Sequence, residues 1–477
     1  MKSLPRRLGL GAGLLLFAYL VGSLDWRGEV PDTPPVLERV ESRSRLRAGV
    51  ASVDFTPDHP VPLGGFARRD GAFTEVLDPV KARALVFSAG SLDLALVSLD
   101  LLLIPDTLAA RIASDAQGAG IDRVIVTATH THGAPGGYWD NLVARFGGLG
   151  SHDPELEQAI ADAAGTALRA ARGKLEEVEL TLREGEGPEL CRSRVEGRAP
   201  DRRLTLLTLR RISASHLAED APEGGSERRR RPAGEAEAVP GETSLEPGAR
   251  GSGRSPAREV LARVVVFACH PTVLGHTDRR LSAEWPGALA AALEGTTLLL
   301  QGSQGEVTHG EVPGVEADAP REEKMRALGA AVAEAVRALE ASEGQPVERL
   351  AHTRATLALP GPSARGFAPT GLEGITSNLL MTQVPDRATV SVLELGPLDL
   401  LLVPGEVVSP LGARWAREAA DRRGGQARVV SLADGYLGYL ETPEALEAGL
   451  GESKRAFFGA DAVRRLEEAL VAASPPR

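Results

Sequence analysis

Residues 123–137 read RVIVTATHTHGAPGG, a continuous β-branched run that ends in His130-Thr131-His132 and passes into a Gly/Pro loop. On an extended backbone alternate side chains share a face, so both imidazoles leave the end of this strand toward one side. In α/β proteins that end of a strand is where ligands bind. Neutral imidazole is the commonest protein ligand for metals, and zinc is well served by two or three nitrogens plus a carboxylate. The blander reading of His130 and His132 is a pair of hydrogen-bonded loop residues.

Working outward, residues 47–56 alternate like a short strand, and residues 82–104 give two strands joined by a Ser-Ala-Gly-Ser turn. Pro105 opens a helix over 106–117, and Asp153 caps an Ala-rich helix reaching about residue 175. Further strands are expected at 178–183, 204–209 and 260–268, and near Leu298, Ala355, Val390, Leu400 and Val429. Helices are expected at 286–294, 321–341 and 461–472. Helices and strands interleave throughout, so the class is α/β, with layered mixed β-sheets flanked by helices and a metal site at strand C-terminal ends.

The chain has 477 residues, 43% hydrophobic and 25% charged, with a net charge of −11. That balance suits a soluble globular protein, and without a basic face carrying interleaved aromatics a nucleic-acid partner is not expected. Cys191 and Cys269 are too few for a disulfide scaffold; they could pair with each other, which spacing alone leaves open. At the N-terminus Lys2, Arg6 and Arg7 precede an uncharged apolar run over residues 8–24, the order of a secretory signal or signal anchor. At ~1.5 Å per residue the run just spans a bilayer. No small-x-small cleavage site follows, which favours an uncleaved anchor. An exported chain is therefore expected, membrane-anchored or free in the periplasm or outside the cell. Residues 25–46, rich in Pro and Arg, read as a tether, and the folded domain as 47–477. Residues 213–257 nearly lack large apolar side chains and read as a disordered insertion, with Arg228 to Arg231 a solvated charge run.

Three further segments repeat the strand-then-polar pattern. RVVVFACHPTVLGH places His270 at the end of β-formers and before Pro271. LDLLLVPGEVVSP places Glu406 after a buried strand and a Pro-Gly turn, either as a partnered charge or as the cap of a helix beginning near Pro410. SLADGYLGYLETPE sets Tyr436 and Tyr439 beside glycines; a phenol near a metal can ligate it or donate to an oxyanion, and two core aromatics are the alternative.

HTHGAPGG, CHPT, VPGE and GYLETPE, in that order, resemble the neutral ceramidase family from about residue 47 to about residue 465, interrupted by the insertion. The resemblance implies an α/β catalytic domain holding one zinc and cleaving the amide of N-acylsphingosine. It implies His130, His270, Glu406 and Tyr439 as the zinc ligands and His132 as a catalytic or substrate-orienting group. It makes Arg192, in ELCRSRV, the active-site arginine, with Arg194 the competing choice. Thr308, in QGSQGEVTHG, stands where the family has a serine; it keeps the hydroxyl but stiffens χ1. The family's downstream tyrosine and its C-terminal immunoglobulin-like domain have no counterpart here. The expected partners are a lipid amide substrate and, through the N-terminal segment, a membrane surface. A metallohydrolase of another ester or amide class is the enzymatic alternative, and a zinc-holding lipid-binding homologue the non-enzymatic one.

Overall fold

The computed structural model describes residue 30 and residues 33–212, 259–312, 314–363 and 373–476. The N-terminal apolar run and the expected insertion lie outside the described residues. The long strands, in chain order, are β1 (Val36–Ser42), β2 (Leu46–Asp54), β3 (Lys81–Ala89), β4 (Leu92–Leu99), β5 (Arg123–Ala128), β6 (Glu176–Glu186), β7 (Arg203–Arg211) and β8 (Val260–Phe267). They continue as β9 (Thr296–Gln301), β10 (Leu350–Ala358), β11 (Arg387–Leu395), β12 (Leu398–Leu402) and β13 (Gln426–Val430). The long helices are α1 (Asp106–Gly118), α2 (Pro154–Arg172), α3 (Glu284–Ala292), α4 (Arg321–Glu340), α5 (Ser409–Arg423) and α6 (Ala460–Ala473). Shorter elements are named by their residues.

The strands make two mixed sheets. One runs β9-β8-β7-β6-β2-β3-β4-β5 and the other β1-β10-β11-β12-β13. The outer pairs β8/β9, β4/β5 and β12/β13 are parallel, while the remaining neighbours are antiparallel. Alternation along the strands sorts the side chains into layers. Leu85 and Phe87 of β3 meet Leu393 and Leu400 of the second sheet, whereas Ala84 and Val86 face α1 and α2. On its far half the first sheet is covered by α3 and α4, through Val265, Leu289 and Leu328. The second sheet is covered by α5 and α6, through Val390, Trp415 and Leu466. The result is a helix–sheet–sheet–helix stack with three buried interfaces, the layered α/β class read from the sequence.

Part of the expected tether is structured. Residues Val36–Ser42 form β1, antiparallel to β10 with Val36 opposite Thr356 and Ser42 opposite Leu350. Its side chains are mostly exposed, so its hydrophobic pattern is faint. What holds it is the backbone ladder together with Arg39, which ion-pairs with the buried Glu394 at 2.5 Å. Among the described residues no helix is long and apolar enough to cross a membrane. Cys191 and Cys269 form a disulfide across a separation of 78 residues, a bond that persists outside the reducing cytoplasm and marks a periplasmic or extracellular chain.

Candidate metal centre

All the motif-bearing segments end at one pole of the stack. β5 stops at Ala128, and Thr129 N still bonds to Leu99 O of β4 before the chain turns. His130 makes the turn in the left-handed region, φ 67°, a conformation uncommon for a residue with a Cβ. Its Nδ1–H donates to Leu102 O at 2.6 Å. This fixes the ring and its tautomer, leaving the Nε2 lone pair directed inward. β8 delivers His270 in the same manner: Nδ1–H donates to Val307 O at 2.9 Å, and Nε2 faces Glu406 and Tyr439. From the second sheet, β12 ends at Leu402 and a Pro-Gly turn presents Glu406.

The four groups converge although they come from two sheets. Oε2 of Glu406 is 3.3 Å from His130 Nε2 and 3.2 Å from His270 Nε2. The Tyr439 hydroxyl is 3.4 Å from His270 Nε2. The imidazoles of His130, His132 and His270 offer nitrogen atoms all within 4.8 Å of one another, and all three residues are buried. The His132 ring packs against Phe66 at 4.8 Å and lies 5.0 Å from His130. It has room only because residue 65 is glycine: at φ 102° a Cβ there would sit 2.3 Å from His132 Nδ1.

Burial sets the electrostatics. Burial pushes the Glu406 carboxyl up, but the charges and hydrogen bonds of His130 and His270 outweigh it and hold the group well below the usual carboxylate range. Burial depresses His270 to about 4, and together with the neighbouring histidines holds His132 well below its ordinary value, so both rings are neutral bases at neutral pH. Burial and then the Glu406 charge raise the Tyr439 and Tyr436 hydroxyls, so in this setting both are donors. His130 Nε2 and both ring nitrogens of His132 are buried without a hydrogen-bond partner among the described residues. Unpaired buried polar atoms cost free energy, and a cation beside the Glu406 oxygen would satisfy His130 Nε2, with one His132 nitrogen within reach. The residues fit a metal ion: three imidazoles, a carboxylate and a phenol.

Not every expected residue reaches this point. Arg192 is exposed, and its backbone pairs with Thr308 in a short ladder with Val307–His309. Arg194, just past the end of the Cys191–Ser193 strand, donates to the Tyr439 hydroxyl at 3.3 Å and to Gly305 O at 2.6 Å. The arginine at the cluster is therefore Arg194. Thr308 bridges through its backbone to His270, and its hydroxyl lies 3.3 Å from that of Thr272. His276 makes a ring contact with Phe66 at 6.3 Å, on the rim.

Glu406 is also relieved of the capping role. The first N–H of α5, on Ser409, donates to both oxygens of the buried Glu306, at 3.2 and 2.9 Å. Sequence reading passed over Glu306, and it passed over Arg69, whose guanidinium donates to His132 O at 2.6 Å and stacks over Phe66. Glu284, with φ 52°, was missed too; its carboxylate accepts from Val273 N and Leu274 N at 3.1 Å and ties down the loop after His270. The available signal was a charged residue inside an otherwise apolar stretch, as in SAEWPGA.

No protein-family model matches the chain, and no curated protein matches it in sequence. Solved structures do. A neutral ceramidase from Pseudomonas aeruginosa superposes with a TM-score of 0.71 at 16% identity, covering 91% of this chain and 75% of that one. A ceramidase complexed with C2 gives 0.68 at 17% identity, covering 90% and 75%. The described chain thus shares the fold of neutral ceramidase across nearly its whole length.

Proposed function

We propose that this chain is a zinc-dependent hydrolase of lipid amides, with N-acylsphingosine the leading substrate class. The observation that carries the reading is the meeting of His130, His270 and Glu406, from two different sheets, with imidazole nitrogens left unpaired in a buried site. Zinc suits that donor set, and the ceramidase fold supports the choice of substrate. The holders are His130, His270 and Glu406, with Tyr439 the fourth. The disulfide and the basic-then-apolar N-terminus support an exported chain, its folded catalytic domain beginning with β1 at Val36.

When bound, zinc would supply Lewis-acid polarisation of the acyl carbonyl and acidify an attacking water. The chain supplies the rest. His132, neutral and uncommitted at both nitrogens, takes a proton from the nucleophile and returns it to the departing amine. The Tyr439 hydroxyl, held by Arg194, donates to the oxyanion as the carbonyl becomes tetrahedral. Tyr436 donates to Glu406 Oε1 at 2.7 Å, leaving Oε2 to face the two imidazoles. The protein walls exclude bulk water, which strengthens each of these interactions.

His130→Ala and His270→Ala test the assignment through zinc content and hydrolysis of a fluorescent ceramide, with and without chelator. Each variant should lose stoichiometric zinc, and activity should fall by roughly a thousandfold or more. Zinc retained in both variants would refute the ligand set. Zinc bound by the wild type with no acyl amide cleaved, across short and long acyl chains, would refute the activity and leave a lipid-binding protein.

A further inference from the structure

Several of the large apolar side chains that the described residues leave exposed lie on loops next to the metal-centre segments. Leu142 (49% exposed) and Phe146 (76%) project from the short helical stretch that follows the His130–His132 loop. That stretch is pinned to the site: Gly65 N bonds to Gly148 O, and the neighbouring Phe66 packs on His132. Leu379 (62%) lies on the Glu373–Leu380 helix, whose following turn is tied to the same stretch, with Asn141 donating to Gln383 O at 2.6 Å and Leu142 N to Gln383 Oε1 at 2.7 Å. Leu450 (63%) follows the Pro443–Ala448 helix, in a loop whose Arg455 reaches over the Tyr439 ring. Separate loops tied to the site segments thus raise apolar tips at one pole, with the exposed cations Arg145 and Lys454 and the exposed acids Asp140 and Glu447 beside them. Scattered exposed leucines need no explanation, but apolar tips on several loops at one pole mark an interaction surface.

The chain's entry point argues for what that surface meets. Along the second sheet, Glu38 of β1 is level with Arg354, Ser391 and Leu402, the last residue of the strand that leads to Glu406. Val36 and Leu37 therefore stand at the metal-centre pole, and the chain enters the fold there. Only about a dozen residues separate them from the apolar run at 8–24, a reach of roughly 40 Å when extended. A run of that length held in a bilayer would tether the chain at this pole and keep it within roughly 40 Å of the same membrane.

We propose that the metal-centre pole is a membrane-docking face: Leu142, Phe146, Leu379 and Leu450 insert among the acyl chains, while Arg145 and Lys454 meet lipid phosphates. Apolar tips with flanking cations are the pattern by which peripheral surfaces bind a bilayer. The face would deliver a membrane-borne lipid to the site without its crossing water. This deepens the proposed function, and its binding arm is independent of catalysis.

The described chain has no free cysteine, so a single cysteine placed at 146 in the full-length protein can carry an environment-sensitive dye. A dye at 471 is the control. Val471 lies at the end of α6, close to Pro475, which accepts from Arg423; that arginine pairs with Glu394 and Asp399 at the opposite pole. With phosphatidylcholine vesicles containing phosphatidylglycerol, the dye at 146 should shift to the blue and be quenched by brominated lipid, and the dye at 471 should not. Phe146→Glu with Leu379→Glu should lower hydrolysis of vesicle-borne ceramide by roughly tenfold or more, with kcat and KM on a freely soluble short-chain acyl amide unchanged. Equal responses at 146 and 471, no response at 146, or equal loss on both substrates would overturn the docking face. A dye shift confined to 146 in a protein that cleaves no amide would uphold the face and overturn the activity instead.

Discussion

At the scale of single residues, the centre depends on bonds that aim its ligands. The Tyr436 hydroxyl occupies one oxygen of Glu406, so the other is the one presented to His130 and His270. Tyr436→Phe removes that bond without changing shape, and zinc affinity should fall about ten- to a hundredfold, measured by competition with a chelator at unchanged Tm. Equal affinity would show that the bond does no aiming. Asp434 offers a test by pH. It sits at φ 57°, its Oδ1 accepts from Val126 N at 2.8 Å, and burial raises its carboxyl to about 6. A carboxyl whose folded value is raised contributes stability below its unfolded value near 4, and that contribution is lost as pH rises through about 6. Asparagine keeps the acceptor and tolerates the left-handed backbone. Asp434→Asn should therefore gain stability relative to the wild type between pH 4 and pH 7, on the order of 2 kcal/mol, read from urea midpoints at the two pH values. The stretch marked its tyrosines as site candidates, but neither the bond of Tyr436 to Glu406 nor that of Asp434 to Val126 is legible in GYLGYL or LADG, because the partner of each lies in another segment of chain.

At the scale of elements, the strand ends do the positioning, and the disulfide joins two of them. Cys269 immediately precedes His270, and Cys191 opens the short Cys191–Ser193 strand that leads to Arg194. Replacing both cysteines with serine should lower stability by about 2–4 kcal/mol in guanidinium unfolding, since the bond closes a long loop in the unfolded chain. It should also weaken the hold of Arg194 on Tyr439, seen as a fall in kcat larger than any change in KM. No change in either quantity would mean that the short ladder between Cys191–Ser193 and Val307–His309 suffices. The strands carrying His130, His270 and Glu406 were legible because they are long runs of β-formers, and α2 was legible because Asp153 caps an amphipathic repeat. β1 was read as tether because an edge strand with exposed side chains leaves little periodicity. The start of α5 was legible from Ser-Pro, but its capping acceptor, Glu306, comes from a turn a hundred residues earlier.

At the scale of the whole molecule, the proposed ion is a clasp between sheets, since His130 and His270 follow strands of one and Glu406 follows a strand of the other. A ligand that binds only the folded state stabilises it by mass action. Stripping zinc with a chelator should therefore lower Tm by about 5 °C or more, and added zinc should restore it. In His270→Ala, Tm should be indifferent to both treatments. A wild-type Tm unmoved by chelator would mean that the sheets' apolar interface holds the pole without the ion. The sequence by itself determined the class, the order of most strands and helices, and which histidines and which glutamate stand at strand ends, because periodicity and turn chemistry are local. Only the tertiary structure decided that Arg194 rather than Arg192 meets Tyr439, that Tyr436 aims Glu406, that Glu306 caps α5, and that the exposed apolar tips share the pole of the metal centre. Those outcomes depend on how two sheets and their loops pack, a relation between residues hundreds of positions apart that leaves no trace in any short stretch of chain.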